Sequence, residues 1–397
     1  MDTEHCKFFV QRKKRFCRMT VKKGHKYCGE HMEADVSVQS PSKRIPCPLD
    51  STHTCFESRL KQHLEVCNVK KLIDARPECI IEGINRGEIG IEAPKHVPLT
   101  LLDQNVVDDV IKKVEAAADK LPKVEELILE HDILSAEINN SSYGNYLKKH
   151  LIQNSSLLAH LNRAGLLKEN SCFIEFGAGK GKLTYWLAQL IKNTKDSTVI
   201  LVDRSSHRHK NDNKLKTEDC SINIVRIRAD IADLCLNKIE EVKNSKYTVG
   251  IAKHLCGAAT DLTLRCLTNQ TEDTGVSGLI IAFCCHHRCE YISYVGKKYL
   301  KECGFTPEEF PILCSIASWA TCGTGKNRQS NSTDKESSED MKRERRESIG
   351  RKVKSLLNWG RIKYLDSMGF DSKLYYYTRL EVSLENMCVV ATRKINI

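Results

Sequence analysis

The 397-residue chain contains no apolar run that approaches the length of a membrane-spanning helix. Residues 1–30 are basic and polar and lack the apolar core of a secretory signal. Both absences lead us to expect an intracellular protein, nuclear or cytoplasmic, with no membrane partner. Thiols stay reduced in that setting, so the 19 cysteines are read as metal ligands or packing groups and not as a disulfide framework. Two nucleotide signatures are also missing. The glycine-rich stretch at 173–184 lacks Gly-x-Gly-x-x-Gly spacing, and no Gly-Lys-Ser/Thr follows it. A dinucleotide fingerprint and a nucleoside-triphosphate loop are thereby excluded.

What is present is mostly foldable and basic. The hydrophobic fraction is 41%, enough for one large core with smaller modules beside it. The net charge is +11, from 62 Lys+Arg against 51 Asp+Glu, which suggests an anionic partner such as nucleic acid. Nothing in the sequence implies a protein partner.

The N-terminal third is cysteine-rich. Cys6, Cys17, Cys28 and His31 follow C-x10-C-x10-C-x2-H. A segment this short cannot bury a core, so a metal has to hold it together, and this set suits tetrahedral zinc. His5 and His25 are alternative ligands. Lysines and arginines alternate here with Phe8, Phe9, Phe16 and Tyr27. The basic groups suit phosphate contact, while most of the aromatics are expected to fill the small core. A polar linker at 35–44 leads to a second module. Cys47, His53, His63 and Cys67 have the spacing C-x5-H-x9-H-x3-C, and a helix over 57–67 places His63 and Cys67 one turn apart. The expectation is a CCCH-type finger at 1–34 and a CHHC-type finger at 44–71, each holding one structural Zn2+.

Residues 72–167 read as a helical connector, with amphipathic helices over 101–121 and after Pro122, then two short helices over 145–167. No chemistry is assigned to its histidines. Residues 168–397 read as an α/β domain. Its first strand ends at Glu175 and enters the loop Gly177, Gly179, Gly181. This Glu-x-Gly-x-Gly-x-Gly stretch resembles the first motif of the Rossmann-like S-adenosylmethionine methyltransferases. The resemblance implies that Glu175 and the three glycines bind the cofactor. It also implies that Asp203, ending the second strand, takes the ribose hydroxyls, and that Asp230 and Ile231 take the adenine. For Asp230 a simple helix N-cap is the other reading.

The fourth predicted strand runs into Lys253-His254-Leu255-Cys256-Gly257 and the fifth into Cys284-Cys285-His286-His287-Arg288-Cys289. Ligands of doubly wound sheets lie beyond such strand ends. Lys253 or His254 could serve as base, or orient a phosphate. The cysteine-histidine stretch is expected to wall the active site, with His286 or His287 toward substrate. Consecutive residues of an extended chain point opposite ways, which argues against five ligands on one metal there. A nucleophilic thiol for carbon methylation of pyrimidines is the rival use of Cys284 and Cys285. Asn/Asp-Pro-Pro-Tyr is absent after strand four, which argues against methylation of exocyclic amines. Residues 323–347 are polar and read as a flexible insertion, followed by a helix and a final antiparallel strand pair.

Two fingers of these types ahead of such a domain resemble the eukaryotic tRNA 2′-O-methyltransferases that modify nucleotide 4 of the acceptor stem. The resemblance covers the whole chain. It implies a methyltransferase that uses S-adenosylmethionine on tRNA, with Lys253, His254 and His286 at the reaction centre. The alternatives are a zinc-finger RNA-binding protein with a silent methyltransferase fold, or a methyltransferase for another acceptor.

Overall fold

The computed structural model describes residues 4–11, 14–29, 31, 44–70, 77–87, 90, 92–208, 210–217, 222–269, 275–322 and 333–394. The linker expected at 35–44 lies outside them up to residue 43, as do Arg12, Lys13, Lys71, His209 and residues 323–332 of the expected insertion. The chain forms two compact units, Met1–Pro77 and Glu78–Ile397.

The first unit has little regular structure. Strands β1 (Phe9–Val10) and β2 (Arg15–Phe16) pair antiparallel. Strands β3 (Arg44–Cys47) and β4 (Asp50–Phe56) form a hairpin, and the helix α1 (Leu60–Val66) follows. Cysteines are the most buried side chains: Cys6, Cys28, Cys47, Cys55 and Cys67.

The second unit is built on one eight-stranded sheet. Its strands are β5 (Glu125–Glu126), β6 (Ser171–Phe176), β7 (Thr198–Asp203), β8 (Asn223–Arg228), β9 (Tyr247–Cys256), β10 (Val276–Cys284), β11 (Phe370–Tyr376) and β12 (Met387–Arg393). Their order is β5-β11-β12-β10-β9-β6-β7-β8. Strands β8, β7, β6, β9 and β10 are parallel, and β12 runs antiparallel to both β10 and β11. The chain steps outward from β6 to β8, then returns to the other side of β6 to make β9. That reversal opens a crevice between the carboxyl ends of β6 and β9, the place where such sheets bind ligands.

Both sheet faces are covered. The helices that matter are α2 (Gln104–Ala118), α3 (Asn145–Arg163), α4 (Lys182–Ile191), α5 (Ala258–Thr268), α6 (Phe310–Ala317) and α7 (Thr333–Ser367). Alternate strand residues Phe173, Val199, Val249 and Ile251 meet Leu157, Leu158 and Leu161 of α3 and Leu183 and Leu187 of α4. Their neighbours Ile174, Ile200 and Val202 face the other way, toward Leu264 of α5 and Ile362 and Leu365 of α7. A third cluster joins Val110 and Val114 of α2 to Phe310 and Leu313 of α6 and Leu356 and Leu357 of α7.

Four expectations change. Residues 145–163 form one helix and not two. Its interior polar residues Gln153, Asn154, Ser155 and Ser156 are buried, so they do not interrupt it. After Pro122 the chain is extended, because Glu125–Glu126 joins the open edge of β11, and Leu127 N donates to Tyr376 O at 3.1 Å. Residues 333–347 belong to α7. The outer strand of the final pair is Phe370–Tyr376, earlier than its β-rich signal at 375–384.

Candidate methyl-transfer site and metal centres

The eight predicted ligands of the N-terminal unit converge in two groups of four. Cys6, Cys17, Cys28 and His31 have ligand atoms all within 4.8 Å of one another, and so do Cys47, His53, His63 and Cys67. In the first group Cys28 Sγ lies 3.3 Å and Cys6 Sγ 3.5 Å from His31 Nδ1, and Cys17 Sγ lies 3.9 Å from Cys28 Sγ. The His31 ring is fixed by stacking on Phe8, 4.0 Å between centroids. In the second group His63 Nε2 is 3.2 Å from both His53 Nε2 and Cys47 Sγ, and Cys67 Sγ is 3.5 Å from His53 Nε2. Asp50 Oδ2 stands 3.7 Å from the other ring nitrogen of His53, on the side where metal-binding histidines are usually oriented. These spacings are those of tetrahedral zinc ligands. One reading of the aromatics changes: Phe8 fills the small core, whereas Phe9 and Phe16 are 41% and 61% exposed and meet edge to face.

In the second unit the glycine loop follows β6. Gly177, Gly179 and Gly181 all have positive φ, at 63°, 53° and 69°. A Cβ at Gly177 would sit 2.9 Å from Leu255 Cδ1, and one at Gly181 2.8 Å from Leu201 Cδ2. Nothing lies within 4 Å of a Cβ at Gly179, so the loop is open on that side. Gly179 N donates to Asp203 Oδ2 at 2.8 Å, and Ser205 N donates to Oδ1 at 2.7 Å. Burial alone would raise the Asp203 carboxyl; these backbone donors and His207 instead hold it below the usual carboxylate range. From β8, Arg226 braces the loop by donating to Gly179 O at 3.1 Å while clamping Asp212.

Glu175 is turned inward. Its Oε2 accepts from the Thr184 backbone at 2.9 Å and from the Thr184 hydroxyl, tying the strand end to α4. Burial pushes its carboxyl up to about 7. Asp230 accepts from Ala232 N at 3.0 Å and so caps the short helix at 231–233, with Ile231 buried behind it.

Across the crevice, Lys253 and His254 lie near the carboxyl end of β9. The pairing of β9 with β10 slips between Ala282 and Phe283, leaving His254 as an extra residue with φ of 58°. Such a bulge re-aims side chains at a strand end. Lys253 Nζ donates to Asn154 Oδ1 at 2.7 Å and to His150 O at 3.0 Å, both on α3. Burial lowers the Lys253 amine to about 7, helped by Lys182 and opposed by Glu175. Burial with Lys253 and His150 nearby lowers His254 to about 4, so its ring is neutral at neutral pH. His150 and His254 meet edge to face at 5.9 Å. Sequence reasoning assigned nothing to His150 and Asn154. The available signal was the polar run 153–156 set between the apolar pairs Leu151-Ile152 and Leu157-Leu158.

His286 lies apart from this pair. It is 2% exposed, and its Nε2 is 2.7 Å from Asn358 Oδ1 of α7. Asn358 also accepts from Arg361 at 3.0 Å, and Arg361 is bidentate to Asp261 at 3.0 and 2.7 Å. His286 therefore faces the interior beneath the strand ends and not the crevice. Burial holds its ring neutral. His287 is exposed.

The parallel sheet with its antiparallel β12, the glycine loop and the two Cys/His tetrads define a Rossmann-like methyltransferase domain carried with two zinc fingers. Residues 152–392 match the family described as Methyltransferase TRM13. Residues 4–32 match the CCCH zinc finger in TRM13 protein, and residues 44–68 the U11-48K-like CHHC zinc finger. The chain belongs to the TRM13 methyltransferase family. It is 34% identical to the Mus musculus protein named tRNA:m(4)X modification enzyme TRM13 homolog, covering 97% of this chain and 94% of that one. The Homo sapiens protein of the same name is 35% identical, again over 97% and 94%. The Yarrowia lipolytica tRNA:m(4)X modification enzyme TRM13 is 32% identical over 96% of this chain and 88% of its own.

Proposed function

We propose that the chain methylates the ribose 2′-hydroxyl of nucleotide 4 in the acceptor stem of tRNA, using S-adenosylmethionine. The observation that carries the acceptor is Lys253: a half-buried residue whose amine is lowered by desolvation to about 7, held at the switch point between β9 and the glycine loop. A ribose hydroxyl is a poor nucleophile and reacts faster when a base takes its proton. The relatives' name writes the modified nucleotide as X and not as one base. The 2′-hydroxyl is a group every ribonucleotide offers, whatever its base.

The loop suits a nucleoside cofactor. Gly177 and Gly181 leave no room for side chains, Gly179 is open, and Asp203 is ionised at the rim. S-adenosylmethionine, when bound, supplies an electrophilic methyl group. Gly177, Gly179, Gly181 and Asp203 would hold it, with Asp230 and Ile231 beyond. Glu175 supports the loop through Thr184. Lys253 in its neutral form accepts the 2′-hydroxyl proton at Nζ, and Asn154 fixes that nitrogen. His254, neutral and beside it, orients the acceptor through hydrogen bonding. His286 positions the β10 strand end through Asn358.

The fingers would bind the stem. Lys7, Lys14, Arg18, Lys22, Lys23 and Lys26 are exposed in the same finger as the Phe9–Phe16 pair, a combination that meets phosphates and stacks on bases. Transfer of labelled methyl from S-adenosylmethionine to total tRNA, followed by nucleoside analysis, tests the proposal. A 2′-O-methylated nucleoside from position 4 is expected. A base-methylated nucleoside overturns it.

A further inference from the structure

We propose that Cys256, Cys284 and Cys285 form a third zinc site, placed at the carboxyl ends of β9 and β10. Cys256 Sγ is 3.4 Å from Cys284 Sγ, and Cys284 Sγ is 3.2 Å from Cys285 Sγ. All three sulfurs lie within 4.8 Å of one another. Sulfurs bound at about 2.3 Å to one tetrahedral zinc stand roughly 3.8 Å apart, so a small outward adjustment admits the ion. The two finger sites show the same close approach, 3.2–3.9 Å between ligand atoms.

The backbone explains how three thiols meet. Cys256 and Cys284 are register partners across the parallel strands. Cys285 adopts φ 30° and ψ 52°. An extended residue there would send its thiol away from Cys284; the left-handed turn brings it to the same side. A left-handed non-glycine residue costs roughly 1–2 kcal/mol, which coordination would offset. The turn is pinned by Arg288 N donating to Cys285 O at 2.9 Å. The opposite strand end is pressed against it, since a Cβ at Gly257 would fall 2.2 Å from Arg288 O.

Thiolates select soft or borderline metals, and zinc is the one that suits the other two Cys/His sites of this chain. Among the described residues no fourth His, Cys, Asp or Glu ligand atom joins the three. Three protein ligands with one open position are the arrangement of a zinc ion that binds water or a substrate oxygen. All three cysteines are partly exposed, so the ion can enter and the open position can be reached. The site holds the two strand ends that carry Lys253 and His254 on one side and the 284–289 turn on the other. It stands whether the acceptor is a ribose or a base.

The test is metal analysis of the full chain purified anaerobically with reductant. Three zinc ions per chain are expected, falling to two in Cys256→Ser, Cys284→Ser and Cys285→Ser, and remaining three in the control Cys303→Ser. The count on the unaltered chain does not depend on how the variants fold. Two zinc ions in the unaltered chain, with the same count in a folded Cys284→Ser variant, overturn the site. Iron with acid-labile sulfide in place of the third zinc overturns it as well.

Discussion

Lys253 Nζ donates to Asn154 Oδ1 at 2.7 Å, joining the end of β9 to the middle of α3 across 99 residues of sequence. The amide oxygen orients the amine without adding charge, so burial is free to lower the amine's affinity for protons.

That relationship predicts a pH profile. Activity should rise as pH passes upward through about 7, because the amine must be neutral to accept a proton. Lys253→Ala should lower single-turnover transfer by about 10²-fold or more while leaving cofactor affinity within a few-fold. Asn154→Asp places a carboxylate against Nζ, favours the charged amine, and should move the rising limb to higher pH. Rates measured from pH 6 to 10 check both; an unmoved limb in Asn154→Asp would remove Lys253 as the titrating base.

The glycine loop predicts two distinct defects. At Gly181 the added Cβ meets Leu201 at 2.8 Å, in a left-handed backbone. Gly181→Ala should therefore lower stability by about 2 kcal/mol as well as cofactor binding. At Gly179 there is room for the methyl group in the protein itself. Gly179→Ala should cost only about 1 kcal/mol and should weaken cofactor binding about tenfold or more. Urea unfolding and cofactor titration separate the two.

Asp261→Ala should be among the most damaging changes outside the crevice. It leaves the Arg361 guanidinium, 1% exposed, without its carboxylate. Breaking one partner of such a pair costs about 3–5 kcal/mol. Leu substitutions at both positions should recover part of that loss, as read by urea midpoints of the parent chain and the two variants.

Cys47→Ser should release one zinc ion and weaken tRNA binding, because the hairpin and α1 have little apolar core without the metal. Binding should fall more steeply with salt in the parent chain than in the variant, since lost phosphate contacts shorten the salt slope. Zinc counts and binding at two salt concentrations check this.

What could be read from sequence was local. The tetrads were legible because each set of four ligands falls within 26 residues, and spacing alone forces them together. The glycine loop and Asp203 were legible because strand ends in a doubly wound sheet share one rim. The partners of Lys253 were not, since only the packing of α3 on the sheet brings Asn154 and the His150 carbonyl to it. The direction of His286 was hidden for a similar reason: its partner Asn358 lies 72 residues away on α7. The thiol cluster was hidden because Cys256 joins it from β9, 28 residues before Cys284. As expected, residues 284–289 do not supply five ligands to one metal, since only Cys284 and Cys285 of that stretch enter the cluster. Consecutive side chains alternate in a strand, and Cys285 is not in one.

The position of β12 bears on how the enzyme is made. Residues 387–393 run between β10 and β11, which are not hydrogen-bonded to each other. Until those residues are in place, the edges of β10 and β11 lack their hydrogen-bonding partner. The fingers can take up metal hundreds of residues earlier. A nascent chain stalled before Met387 should thus hold zinc and yet engage chaperones, its catalytic half still open.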